Sequence, residues 1–131
     1  MRKSIAMTLL VLVSSNAAAE WLKVGTSAIA ASYADQETIR RAGTLVKMWG
    51  LLDFTVAQQS PASREKHYLS EKTQVEFDCR KERARMLSYT LHSENMGRGN
   101  VVHSSSKPEK WESVPLGSAM AAARRFACRD R

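Results

Sequence analysis

The segment Lys72-Thr-Gln-Val-Glu-Phe-Asp-Cys79 constrains the fold more than any other part of this chain. Thr73, Val75, Phe77 and Cys79 fall on one parity, and Gln74, Glu76 and Asp78 on the other. A period of two, with β-branched and aromatic residues on one side, predicts a half-buried antiparallel strand. The alternation turns the Cys79 thiol toward the core. The second cysteine, Cys128, closes the stretch Ser118-Ala-Met-Ala-Ala-Ala-Arg-Arg-Phe-Ala-Cys128, whose helix formers predict a helix with Ser118 as N-cap. Together these placements predict that Cys79 and Cys128 clamp a helix onto the core face of a sheet. Two buried, unpaired thiols are the alternative.

The start of the chain reads as a secretory leader over residues 1–19. Arg2 and Lys3 supply a basic region, Ile5 to Val13 an apolar one, and Ala17-Ala18-Ala19 a small-residue cleavage site before Glu20. The apolar stretch falls well short of the roughly 20 residues a membrane-spanning helix needs. Export and cleavage after Ala19 are therefore expected, with a single domain over 20–131 and a periplasmic, cell-surface or secreted location. No cysteine stands at the cleavage site, so no lipid anchor is expected. An oxidising compartment favours the disulfide, and two cysteines leave no thiol over. A bridge closing a loop of about 50 residues stabilises by roughly 4 kcal/mol in the chain-entropy picture. Losing Arg2 and Lys3 takes the formal charge from +7 to +5, a balance that suits solubility and anionic surfaces without identifying nucleic acid.

In order, Glu20 to Gly25 predicts a short strand and Ala28 to Ala34 a second. Asp35 to Gly43 has the look of a helical turn, capped by Asp35 and ended by Gly43. Thr44 to Phe54 is the longest apolar run. Val46, Met48, Leu52 and Phe54 share one parity and Leu45, Trp49 and Leu51 the other, so the strand is either covered on both sides or offers one face to a partner. Leu45, Trp49 and Leu51 are the candidate interface. Val56 to Lys66 reads as a polar linker, Arg80 to Arg85 as a charged turn, and Leu87, Tyr89 and Leu91 resume the alternation. A glycine turn at Met96 to Asn100 leads into a short strand at Val101 and Val102, and Trp111 to Val114 suits an edge segment. The expected fold is α+β, an antiparallel sheet of five to six strands with a C-terminal helix packed on it.

Trp21-x-x-Val24, Ile39-Arg-Arg-x-Gly43, Val46-x-Met48-Trp49, Ser70 to Cys79, Tyr89, Gly97-x-Gly99, Trp111 and Pro115-x-Gly-Ser118 through Cys128 together resemble the surface-adhesin protein E-like family. The strand ending Glu76-Phe-Asp-Cys79 and the Trp…Pro-x-Gly-Ser…Cys tail carry most of the likeness. The resemblance implies the sheet, the tethered helix and a tendency to dimerise. It also implies adhesion to host matrix and serum proteins, although no binding residue transfers, because the family's adhesive segments are not shared motifs.

Enzymatic function finds little support. His67, His92 and His103 sit on separate segments, outside any nucleophile elbow, His-Glu-x-x-His pair or phosphate loop. Neither metal nor cofactor is expected, and the cysteines form no Cys-x-x-Cys. Arg40-Arg41, Arg80 to Arg85 and Arg124-Arg125 could contact nucleic acid, but an exported chain seldom meets it, and a polyanion such as lipopolysaccharide suits them better. Two functions remain: a binding module for a protein partner, with homodimer formation, or a periplasmic structural or envelope-stress accessory with no soluble ligand.

Overall fold

The computed structural model describes residues 20–129. The leader, its expected cleavage after Ala19 and the last two residues lie outside the described residues. Six strands cross one antiparallel sheet in chain order: β1 (Leu22–Thr26), β2 (Ala30–Ala42), β3 (Leu45–Ser60), β4 (Ser63–Asp78), β5 (Arg83–His92) and β6 (Val101–Ser105). A short β7 (Glu112–Ser113) pairs with the start of β5, beside the stretch that β6 covers. A 3-10 turn at Asn95–Gly97 follows β5, and α1 (Ala119–Cys128) is the one α-helix among the described residues. Among the described residues seven strands thus replace the expected five to six, and the fold is mostly β.

Two segments depart from the sequence reading. Where Asp35 to Gly43 suggests a helical turn, β2 continues to Ala42, interrupted by a bulge between Asp35 and Arg40. The helical look has a real cause. Asp35 Oδ1 accepts the Glu37 N–H and the Asp35 carbonyl accepts Thr38 Oγ1–H, contacts of the kind that also begin helices. Here Thr38 Oγ1 also accepts the Trp49 N–H from β3, which spends those bonds on a bulge. Gly43, at φ 62°, then turns the chain tightly into β3.

The second departure is Val56 to Lys66, which is no linker but the far end of the β3–β4 hairpin, with Ser60 opposite Ser63. Pro61 sits in the turn, where its missing N–H costs no ladder bond. Both faces of this extension are largely polar, so no hydrophobic alternation marks it.

The core lies between α1 and one face of the sheet. Ala34, Val46, Met48, Val75, Phe77, Ala84 and Ala127 are buried there, with Val24, Ile39, Met120 and Phe126 packed around them. Phe77 is wholly buried, which is worth about 2–3 kcal/mol on transfer grounds. Ser118 caps α1 as expected, its Oγ accepting the Ala121 N–H at 3.1 Å. The Cys79–Cys128 disulfide joins the end of β4 to the last residue of α1, with Cα atoms 5.6 Å apart. Arg124 adds to the clamp by donating to the carbonyls of Cys79 and Asp78. The helix lies over β1, β2 and β3 and reaches β4, leaving the same face uncovered by helix toward β5 and β6.

Candidate functional site

Strand β4 carries three carboxylates that the sheet withdraws from water, and it treats them in two ways. At the Cys79 end, Glu76 and Asp78 point away from α1. The register pairs them with Arg85 and Arg83 of β5. Arg85 meets Glu76 Oε1 at 2.8 Å and Arg83 Nε meets Asp78 Oδ2 at 3.1 Å. Trp111 lies against both guanidinium groups, 4.6 and 4.9 Å from its ring centre. Asp78 also accepts the N–H groups of Arg80 and Lys81, which holds the β4–β5 turn. Burial alone would raise the Asp78 pKa, but those two N–H groups and Arg83 overcome it and hold the carboxyl below its usual 3.8. Val75 to Asp78 is therefore buried on both faces, where the alternation predicts burial on one.

At the other end stands Glu71. It shares the parity of Thr73, Val75 and Phe77, so it projects from the core face of β4, beyond the helix. The register sets it in a cross-strand row of Leu52, Glu71, Leu91 and His103, next to a row of Gly50, Thr73, Tyr89 and Ser105. Tyr89 and His103 rings lie 5.8 Å apart. Phe54 and Tyr68 meet edge to face at 5.7 Å. Burial, and after it the charge of Glu109, push the Glu71 pKa above 4.5. Burial raises Tyr68 as well, helped by Glu71 and Tyr89. A shallow depression of about 450 Å³ adjoins this face, bounded by Tyr89, Ser105, Lys107 and Glu109.

The residues expected to form an interface divide. Leu45, Trp49 and Leu51 all lie on the face away from α1, as the pairing with Asp78, Gln74 and Lys72 requires. Leu45 and Trp49 are half-buried, whereas Leu51 is 1% exposed and offers no surface. The histidines do not converge. His67 is exposed on the distal hairpin, His103 sits in β6, and His92 is buried with Nε2 2.8 Å from Thr90 Oγ1. Burial and then Lys72 lower the His92 pKa. Among the described residues no group of three or more His, Cys, Asp or Glu side chains is arranged to hold a metal. Most of the basic clusters are engaged within the fold: Arg40 donates to the Glu37 and Ile39 carbonyls, Arg41 to Arg129, and Arg83, Arg85 and Arg124 as described. A narrow apolar cavity of about 70 Å³ lies between the start of α1 and the sheet, against Met48, Val75, Met86 and Met120. That is less than half the roughly 150 Å³ of a cavity that accommodates benzene.

Glu71 and its aromatic surround escaped the sequence reading. The signal was present. Extending the alternation two residues back from Thr73 puts a carboxylate on the core-facing parity.

The family described as surface-adhesin protein E matches residues 21–129. No curated protein matches the sequence closely enough to count as a relative. Among solved structures, crystal form II of Haemophilus influenzae protein E aligns with a TM-score of 0.62 at 12% identity, covering 82% of this chain and 86% of that one. A second structure of Haemophilus influenzae protein E gives 0.59 at 12% identity, covering 82% and 83%. Protein E from non-typeable Haemophilus influenzae gives 0.57 at 12% identity, covering 87% and 78%. At that identity the likeness shows a shared fold.

Proposed function

Because the chain belongs to the surface-adhesin protein E family, we propose that it is an exported binding module that contacts protein partners, host matrix proteins among them, and turns over no substrate. The family match across residues 21–129 carries this reading. An aromatic sheet face left open by the helix supports it, since recognition needs surface that the fold does not consume. The bonded cysteine pair suits an oxidising compartment and so supports export. No helix among the described residues is long and apolar enough to cross a membrane.

Self-association belongs to the same proposal, through Leu45 and Trp49 on the face away from α1. Sedimentation at micromolar concentration tests it. A dimer weakened by Trp49→Lys is expected, and a strict monomer overturns it.

One observation favours the accessory role in the periplasm. Strand β3 is buried on both faces, by Met48 on one side and Leu51 on the other, which leaves less apolar surface for a partner. Surface-protease accessibility on intact cells, with binding to immobilised matrix proteins, decides between the two. Cleavage at the surface and saturable binding are expected. Periplasmic confinement overturns the adhesin reading.

A further inference from the structure

We propose that the sheet face around Glu71 is a recognition site for an arginine side chain on a protein partner. This deepens the binding-module reading and rests on it. The argument starts from the other end of the same strand. Glu76 and Asp78, both buried, each hold an arginine, and Trp111 lies against both guanidinium groups. Glu71, on the opposite face of the strand, is also drawn away from water beside aromatic rings, but it has no arginine. It is partly buried between Leu52 and Leu91, with Tyr89 in the next row and Tyr68 close by. Among the described residues its carboxylate accepts no hydrogen bond and joins no ion pair.

The groups that act electrostatically on Glu71 and Tyr68 are a second carboxylate, Glu109, and the Tyr68 and Tyr89 phenols with Glu71 itself. None supplies positive charge, so the site is complementary to a cation. Aromatic rings beside a carboxylate suit a guanidinium in particular. Its flat group stacks on a ring face while its fork of N–H donors grips both carboxylate oxygens. An ammonium would satisfy the charge but not the stacking. The open depression beside Tyr89, bordered by Glu109, gives the rest of an extended segment a place to lie. Lys107 and Lys110 also border that depression, and neither is paired with Glu71.

The test uses the disulfide-bonded exported protein with a capped triarginine peptide as probe, followed by NMR of the glutamate carboxyl and tyrosine ring signals. Saturable shifts of Glu71, Tyr68 and Tyr89 are expected, with weaker binding of trilysine. Glu71→Gln should weaken the arginine peptide about tenfold or more, as loss of a charge-assisted pair does. Glu65→Gln, an exposed control on the distal hairpin, should change it less than about twofold. Equal affinity in Glu71→Gln, or shifts confined to other acidic residues, overturns the proposal. The two readings fail separately. Matrix-protein binding unchanged by Glu71→Gln would overturn this site and leave the proposed function standing. Peptide capture at Glu71 without matrix-protein binding would do the reverse.

Discussion

At the Cys79 end of β4, Glu76 and Asp78 each face an arginine under Trp111; at the far end, Glu71 lies between Leu52 and Leu91 and pairs with no cation among the described residues. The first end is roofed on both sides, by α1 through the disulfide and by Trp111 with its arginines. At the second, the face away from α1 carries the 3-10 turn Asn95–Gly97, anchored on Ser70 and Asp53, while the face that bears Glu71 has no helix over it among the described residues. A buried carboxylate with its cation present contributes to holding the fold. The same group without one costs stability, because the charged form has lost water and gained nothing in return. Structural and recognition roles can therefore be separated by sign as well as by size. Removing the charge should destabilise at the clamped end and stabilise at the open one.

The largest effect expected is on the clamp. Replacing both cysteines, Cys79→Ser with Cys128→Ser, should cost about 4 kcal/mol of unfolding free energy in urea, in line with a loop of this size. Arginine-peptide binding at Glu71 should survive wherever the variant is folded, which would confirm that the two ends are independent. Arg85→Ala comes next. It strands Glu76, which is 5% exposed, and a fully buried pair broken this way would cost 3–5 kcal/mol. Because the Arg85 side chain keeps 33% exposure, about 2–3 kcal/mol is the expected loss, measured by the same denaturation.

Glu71→Gln should act in the opposite sense and raise stability by about 1 kcal/mol at pH 7. Its pH dependence checks the cause. The folded-state pKa of Glu71 is raised above 4.5, so the penalty is fully present above that raised value and disappears as pH falls below 4.5. The gain should accordingly shrink toward zero in acid. Asp78 runs the other way. Its folded pKa lies below 3.8, so its stabilisation is complete above 3.8 and is lost as pH falls through the lowered value. Asp78→Asn should thus destabilise at pH 7 and converge on the parent protein only in strong acid. The smallest effect belongs to Glu109→Gln, a gain of a few tenths of a kcal/mol that vanishes when Glu71 is already Gln. Equal gains in both backgrounds would mean that the two carboxylates do not interact.

Much of the clamped end was legible in the sequence. Thr73, Val75 and Phe77 announce their strand by parity, Ser118 announces the helix start, and an even cysteine count with one thiol on the core side announces the bridge. Each signal is local, and each agrees with the fold it sits in. The misreadings occur where local chemistry serves two structures. Asp35 bonds to its own following residues in a bulge much as it would at a helix cap. The Val56 to Lys66 hairpin is wet on both faces, so no periodicity records it. Leu51 shares its parity with Trp49, yet only one of them keeps any exposed surface, because that depends on which loops cross the face. The open end was hidden for a related reason. Glu71 matters through Leu91, Tyr89 and His103, which come from strands whose register with β4 no spacing in the chain prescribes.

The sequential strand order has a consequence for how the molecule is made. Each strand of the main path after β1 pairs with its predecessor, so the sheet can zip up hairpin by hairpin with little loop-closure entropy at any step. β7 returns only as far as β5, whereas α1 must travel back past β5, β6 and β7 to lie over the first strands, and its bridge spans 49 residues of sequence. Assembly thus separates into a fast local stage and a late long-range one whose pace an oxidant sets, over seconds to hours. A reduced chain would reach an ordered sheet before its helix is fastened, with the apolar surface around Phe77 still open to chaperones and to other chains.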